Sequence, residues 1–263
     1  GGSGADTIRG RDGKDTLRGG QGADDMLGGN DNDIYWVDNL NDKVFELQDN
    51  GVDKVLVTTN KFTLFDRGTE NLFGAANIEF ELTGNILDNK IKGHNSDDKL
   101  YGRNGKDTIY GFNGKDTLDG GEGIDSLIGG NGDDYYYIQG NDIVKEKANS
   151  GRDTINSLVN YTLPEHFENL TFIMATSPRK GTGNSSNNTI TGSRTHDELL
   201  GLGGNDTLLG REGNDVLNGG SGVDSMVGGN GNDEYFVDNS YDKVVESEGG
   251  GIDSIISSIN INL

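Results

Sequence analysis

The sequence contains no cysteine, so neither a disulfide nor a thiolate metal site can staple its fold. Proline is nearly absent too, with 2 residues in 263. Hydrophobic residues make up only 31% of the chain, too little for one large buried core. No apolar run reaches the ~18 residues that a membrane-spanning helix needs. Positive charge is in deficit: 22 Lys and Arg stand against 44 Asp and Glu, a net charge of −22. Such a surface repels nucleic acid and anionic membranes and attracts cations. A chain with little core and no disulfide needs another cross-link, and metal is the usual one.

Glycine is abundant, with 44 residues, and it is placed periodically. Three tracts of nonapeptides run through residues 1–36, 93–137 and 192–236. All fourteen nonapeptides carry Gly at position 1 and Asp at position 6. Position 8 is always apolar: Ile8, Leu17, Met26 and Tyr35, then Leu100, Ile109, Leu118, Leu127 and Tyr136, then Leu199, Leu208, Leu217, Met226 and Tyr235. A disordered acidic linker has no reason to hold three positions in register. A longer period of about 100 residues relates the segments 37–92, 138–191 and 237–263, in which Asp42, Asp142 and Asp242 correspond, as do Glu46, Glu146 and Glu246, and Asp53, Asp153 and Asp253. The chain reads as an internal slice of a longer array, and no N-terminal export signal is visible in it.

Each nonapeptide divides in two. Its first six residues are Gly-, Asn- and Asp-rich turn chemistry. Its last three alternate polar, apolar, polar, as in Thr7-Ile8-Arg9, which in a strand sends position 8 to one face. The expected fold is all-β: a parallel solenoid with two repeats per coil, position-8 side chains between two sheets, turns stacked along both edges, and no substantial helix. Stacked turns sit roughly 4.8 Å apart. Asp carboxylates that close repel by several kcal/mol at an effective dielectric of about 20. A cation between turns converts that repulsion into coordination. The donors on offer are carboxylate and carbonyl oxygens, which select hard cations, and a flexible cage suits Ca²⁺ better than Mg²⁺.

The pattern GGxGxDxUx resembles the RTX (repeats-in-toxin) haemolysin-type calcium-binding nonapeptide, a motif long catalogued among repeat signatures. The resemblance implies a right-handed parallel β-roll, export of an unfolded chain by type I secretion machinery, and folding in extracellular calcium. It also implies a ligand set. Each ion lies between turn n and turn n+2, held by both position-6 Asp side chains, by the carbonyls of positions 2 and 4 of one turn, and by those of positions 1 and 3 of the other. In tract one, Gly2, Gly4 and Asp6 then face Gly19, Gln21 and Asp24, while Arg11, Gly13 and Asp15 face Gly28, Asn30 and Asp33. In tract two, Asp98 pairs with Asp116, Asp107 with Asp125 and Asp116 with Asp134, with carbonyls from Arg103, Gly105, Gly111, Phe112, Asn113, Gly114, Gly120, Glu122, Gly129 and Asn131. In tract three, Asp197 pairs with Asp215, Asp206 with Asp224 and Asp215 with Asp233, with carbonyls from Leu202, Gly204, Gly210, Arg211, Glu212, Gly213, Gly219, Ser221, Gly228 and Asn230. The expected total is about eight ions. Position 4 is Asp31, Ser96 and Thr195 in the turns that depart from Gly, and strain is expected there. Position 2 varies (Arg11, Phe112, Leu202) and is expected to matter less, because it offers only a carbonyl.

The segments between tracts contain short apolar alternations such as Val55-Leu56-Val57, and continued, wider, calcium-poor coils are expected there, with small β caps as the competing arrangement. Asp42, Glu46 and Asp53, with their copies, are weighed as an extra ion site against a solvated strand face. The aromatics Tyr35, Trp36, Tyr135, Tyr136 and Tyr137 are expected to cap the core. The histidines His94, His166 and His196 are scattered, and neither H-E-x-x-H nor G-x-S-x-G occurs. The expectation is therefore a secreted, non-enzymatic calcium-binding part of a larger toxin, adhesin or exoenzyme. The alternative is a calcium-dependent module for a cell surface or a polysaccharide.

Overall fold

The computed structural model describes residues 1–46, 51–246 and 249–260. The chain divides into two compact units, Gly1–Lys145 and Glu146–Leu263. Both are built from parallel strands, and no helix forms among the described residues.

In the first unit, one parallel ladder joins eight strands: Thr16–Arg18, Ile34–Val37, Lys54–Val57, Asn71–Gly74, Lys90–Lys92, Thr108–Asn113, Ser126–Asn131 and Ile143–Lys145. The opposite face carries Thr7–Asp12, Asp25–Asn30 and Lys43–Phe45, and further along Lys61–Thr63, Glu81–Thr83, Lys99–Asn104, Thr117–Glu122 and Tyr135–Ile138. The second unit repeats the plan, with six strands on each face, from Thr154–Ser157 to Lys243–Val245 and from Tyr161–Thr162 to Ser254–Ser257. Strands this short hold together because every strand alternates, so each position-8 side chain lands on its counterpart one coil on: Ile109 pairs with Leu127, and Leu100 with Leu118. From Met26 onward all the position-8 residues are fully buried, and they form the core.

Within tracts each coil takes 18 residues, as Leu208 opposite Met226 illustrates. The intervening segments keep the same parallel pairing with uneven coils. Tyr35 pairs with Val55 and Val55 with Leu72, then Leu72 with Ile91 and Ile91 with Ile109, which leads straight into the second tract. In the second unit Ile155 pairs with Leu170, Leu170 with Ile190 and Ile190 with Leu208. These segments are continued coils, not separate caps. Some are wider than a tract coil and some narrower, since slack is taken up in the turns while the inward residue stays in register.

The aromatics divide by alternation. Tyr35, Tyr136 and Tyr235 are fully buried core residues, each at position 8 of the last repeat of its tract. Trp36 points outward beneath the Arg18 guanidinium, 4.2 Å from its ring centroid.

Candidate metal centres

The turns stack with a fixed hydrogen bond. Within a tract, the backbone N–H of a position-6 Asp donates to Oδ1 of the position-6 Asp one coil on. Asp6 donates to Asp24 and Asp15 to Asp33, both at 2.8 Å. Asp98 donates to Asp116 and Asp107 to Asp125 at 2.7 Å, and Asp116 to Asp134 at 2.8 Å. Asp197 donates to Asp215 at 2.6 Å, with Asp206 to Asp224 and Asp215 to Asp233 at 2.7 Å. The pairs inferred from the repeat are thus brought together along both edges of each tract.

One carboxylate oxygen is consumed by this ladder, and the other is left over. Oδ2 of Asp15, Asp24, Asp33, Asp107, Asp125, Asp206, Asp215, Asp224 and Asp233 is buried and has no hydrogen-bond partner. A buried carboxylate oxygen without a partner is costly unless a cation meets it. The ion pairs Lys61–Glu81, Lys180–Glu198 and Arg194–Glu212 lie away from these oxygens. Burial raises the carboxyls above the ordinary aspartate range: Asp107 and Asp215 to about 7, Asp206 to about 6, and Asp98, Asp125, Asp224 and Asp233 upward as well. Desolvation is the first cause, opposed by the backbone N–H and reinforced by the neighbouring Asp, as Asp125 acts on Asp107.

Position 1 is Gly because the leftover oxygen lies against it. A Cβ on Gly102 would collide with Asp107 Oδ2 and lie 2.5 Å from the Gly120 carbonyl oxygen. Asp107 Oδ2 and the position-1 carbonyl of the next turn therefore converge on one spot. The turns also interlock through position 4, whose N–H donates to the position-3 carbonyl one coil on: Gly4 to Gln21, Gly105 to Glu122, Gly114 to Asn131, Gly204 to Ser221 and Gly213 to Asn230. A carbonyl oxygen in such a bond keeps a second lone pair for a ligand. These oxygens and the Oδ2 ladder form an all-oxygen donor set of the kind that suits calcium.

Two sequence expectations need correction. Position 2 is not indifferent to residue type: Arg11, Arg103, Phe112, Leu202 and Arg211 all sit at positive φ, between 77° and 92°. Outside the first turn of each tract, where Gly2, His94 and Ser193 are not left-handed, the turn demands a left-handed residue there, whatever its carbonyl does. At position 4, Asp31 is strained as expected, with φ of 77°, but Ser96 and Thr195 escape by leaving the left-handed region. Their turns close on themselves instead. Asp98 Oδ2 accepts the His94 N–H at 2.7 Å, and Asp197 Oδ2 accepts the Ser193 N–H at 2.5 Å and its hydroxyl at 2.8 Å.

Between tracts, asparagine takes the place of aspartate. The Asn89 N–H joins the ladder by donating to Asp107 Oδ1, but its side chain accepts from the Asn85 N–H at 2.8 Å and donates to the Thr69 carbonyl at 3.2 Å. Asn188 does the same with Asn184 and Phe167. Such turns close with protein groups alone.

The trio Asp42, Glu46 and Asp53 does not assemble as the sequence grouped it. Asp42 continues one edge, accepting the Asp24 N–H, while Glu46 and Asp53 meet Asp33 on the other. None of the three is solvated; they are 3%, 8% and 1% exposed. The tyrosines explain part of this placement. The Tyr35 hydroxyl donates to Glu46 and the Tyr235 hydroxyl to Glu246. Tyr at position 8 of the last repeat, followed eleven residues on by Glu, was the available signal.

A family model described as the RTX calcium-binding nonapeptide repeat (4 copies) matches residues 1–35, 83–111, 110–137, 182–217 and 200–235, more than half of the chain. No curated protein matches the chain.

Proposed function

The chain belongs to the RTX calcium-binding nonapeptide repeat family, and we propose that it is a calcium-triggered folding module of a larger secreted protein. The observation that carries this reading is the row of buried Oδ2 atoms, such as those of Asp15, Asp24, Asp107, Asp125, Asp206, Asp215 and Asp224, that have no hydrogen-bond partner. The position-6 aspartates act as paired side-chain ligands and the turn carbonyls complete each shell, with the turns of Asp98 and Asp197 the weakest sites because those carboxylates are already engaged. Extracellular calcium modules work at Kd of about 10⁻⁴–10⁻³ M. Cytosolic calcium lies far below that, so the chain stays open inside the cell, passes a type I exporter unfolded, and closes outside. Ions that bind only the folded form stabilise it by mass action, and stacked coils make the transition steep. The role is structural, not catalytic: the ladder accounts for the carboxylates, and the His94 and His196 rings face Asn77 and the Asn214 N–H. Far-UV circular dichroism over a CaCl₂ titration to about 10 mM, with MgCl₂ as control, tests it. A steep coil-to-β transition in calcium alone, reversed by chelator, is expected; full β structure in chelator contradicts it.

A second reading, binding of an anionic polysaccharide, is favoured by one surface of the first unit. Across the eight-strand ladder, one outward row runs Arg18, Trp36, Leu56, Phe73, Lys92, Tyr110, Ile128 and Lys145. The Lys92 ammonium lies 5.0 Å from the Phe73 ring and 5.6 Å from Tyr110. Lys54 and Lys90 stand in the adjacent row, and neither row carries a carboxylate. Cations and aromatic faces together suit acidic sugars. A pull-down on a polyuronate and on a neutral glucan, both in calcium, separates the readings: retention on the polyuronate that Lys92→Glu removes supports binding, and equal absence from both matrices contradicts it.

A further inference from the structure

The ladder does not stop at the last nonapeptide, and its two edges end differently. On one edge, the Asp24 N–H donates to Asp42 Oδ1 at 3.0 Å, and Asp42 Oδ2 accepts the N–H groups of Asp38 and Asn39 at 3.1 Å. That carboxylate is fully engaged. On the other edge, the Asp33 N–H donates to Asp53 Oδ1 at 2.7 Å, and the Oδ2 atoms of both Asp33 and Asp53 are buried without a hydrogen-bond partner. Both residues are only 1% exposed. Glu46 joins them: one carboxylate oxygen from each of Asp33, Glu46 and Asp53 lies within 4.8 Å of the others. A Cβ on Gly28 would collide at once with Asp33 Oδ2, the Tyr35 hydroxyl and Glu46 Oε1, so these oxygens aim at one point.

We propose that Asp33, Glu46 and Asp53 bind one further calcium ion, one coil beyond the nonapeptides, and that Asp233, Glu246 and Asp253 form its counterpart in the second unit. The counterpart repeats the hydrogen bonds, although Glu246 and Asp253 are exposed where Glu46 and Asp53 are buried. The Asp233 N–H donates to Asp253 Oδ1 at 3.0 Å, Asp233 Oδ2 has no partner, the Tyr235 hydroxyl donates to Glu246, and the three carboxylates again approach within 4.8 Å. The donors are all oxygen, which selects a hard cation. Two oxygens on opposite sides of a calcium ion at about 2.4 Å stand about 4.8 Å apart, so three oxygens within that distance of one another are close enough to share one ion. Three side-chain carboxylates replace the two of an interior ladder site, and ligand charge raises calcium affinity. Tyr35 and Tyr235 orient the added Glu, which is why tyrosine stands at position 8 of these last repeats. In tract three the ladder is thereby displaced toward its end: weakened at its first turn, where Asp197 is self-capped, and extended at its last.

This inference rests on the reading of the Asp ladder as a calcium ladder. Two experiments on the full chain test it. Native mass spectrometry in calcium should show one ion fewer for Glu46→Gln and two fewer for the Glu46→Gln/Glu246→Gln pair, with the β circular-dichroism signal kept; an unchanged ion count overturns the proposal. Crystals of the unaltered chain grown in calcium decide the matter even if the variants fail to fold. Ions along the ladder and between Asp33, Glu46 and Asp53 support the proposal. A filled ladder with that position empty overturns it alone, and a ladder without ions overturns the calcium reading with it.

Discussion

At the scale of the residue, the structure turns on what happens to one carboxylate oxygen. In the folded coil without an ion, Asp107 Oδ2 is a buried group with no partner. On the proposed reading, calcium takes it as a ligand. The substitution Asp107→Asn should therefore have opposite effects in the two conditions. It should stabilise the metal-free coil, as Asn89 and Asn188 already do between tracts. It should destabilise the calcium-loaded form by about 3 kcal/mol when calcium stands about 100-fold above Kd. The β circular-dichroism signal in chelator and the denaturant midpoint in calcium check the crossing; changes of the same sign in both contradict it. Leu202 offers a second test, because its φ of 77° is a conformation that favours glycine. Leu202→Gly should raise stability in calcium by about 1 kcal/mol through strain relief, read from the same midpoints. Gly102→Ala should do the reverse, by about 1–3 kcal/mol, and should remove the ion between Asp107 and Asp125, since its Cβ fills that spot. The Asp ladder was legible in the sequence because a charge repeated at a nine-residue interval has to be met by something. The demand for positive φ at position 2 was not, because Arg, Phe and Leu there conceal a backbone requirement that glycine would have announced.

At the scale of the element, each coil is two short strands and two turns, and the turns carry the titration. The carboxyls of Asp107 and Asp215 rise to about 7 and those of Asp53 and Asp206 to about 6, through burial first. An acid whose folded pKa lies above its unfolded value binds protons more tightly in the folded state. The stability it confers is fully present below the unfolded value near 4 and is lost as pH rises through the folded one. In chelator, then, the tracts should gain β structure as pH falls from about 8 to about 5, because protons take the place of calcium on the ladder. The same protons compete with the ion, so the calcium midpoint should rise over that range. Circular dichroism in chelator across this range, and calcium titrations at its two ends, measure both trends. A metal-free chain that loses structure on acidification contradicts the account. Parallel strands, two repeats per coil and the inward position 8 followed directly from alternation. The coils between tracts were harder to place, because Tyr35 to Val55 and Val55 to Leu72 keep register across unequal numbers of residues. Only the packing of the inward side chains reveals that the ladder continues through them.

At the scale of the whole molecule, a net charge of −22 with 31% hydrophobic residues describes a chain that stays open unless cations enter it. In chelator its radius of gyration should approach the unfolded scaling value of roughly 55 Å for this length. In calcium, small-angle scattering should record a contraction that magnesium does not reproduce. The sequence made this dependence on cations legible through its absences, since no disulfide and no large core could take the place of metal. Apart from the spacing of Tyr35 and Glu46, nothing in it marked that Glu46 would join Asp33 and part from Asp42, because the separation of the two edges depends on coil length and not on spacing along the chain. The most direct test of the central claim is hydrogen exchange at the ladder amides of Asp107, Asp116, Asp206 and Asp215, each of which donates to the Asp one coil on. The account predicts rapid exchange of all four in chelator and strong protection in calcium. Equal protection in both would mean that the coils hold without the ion, and that the calcium ladder is not what closes this fold.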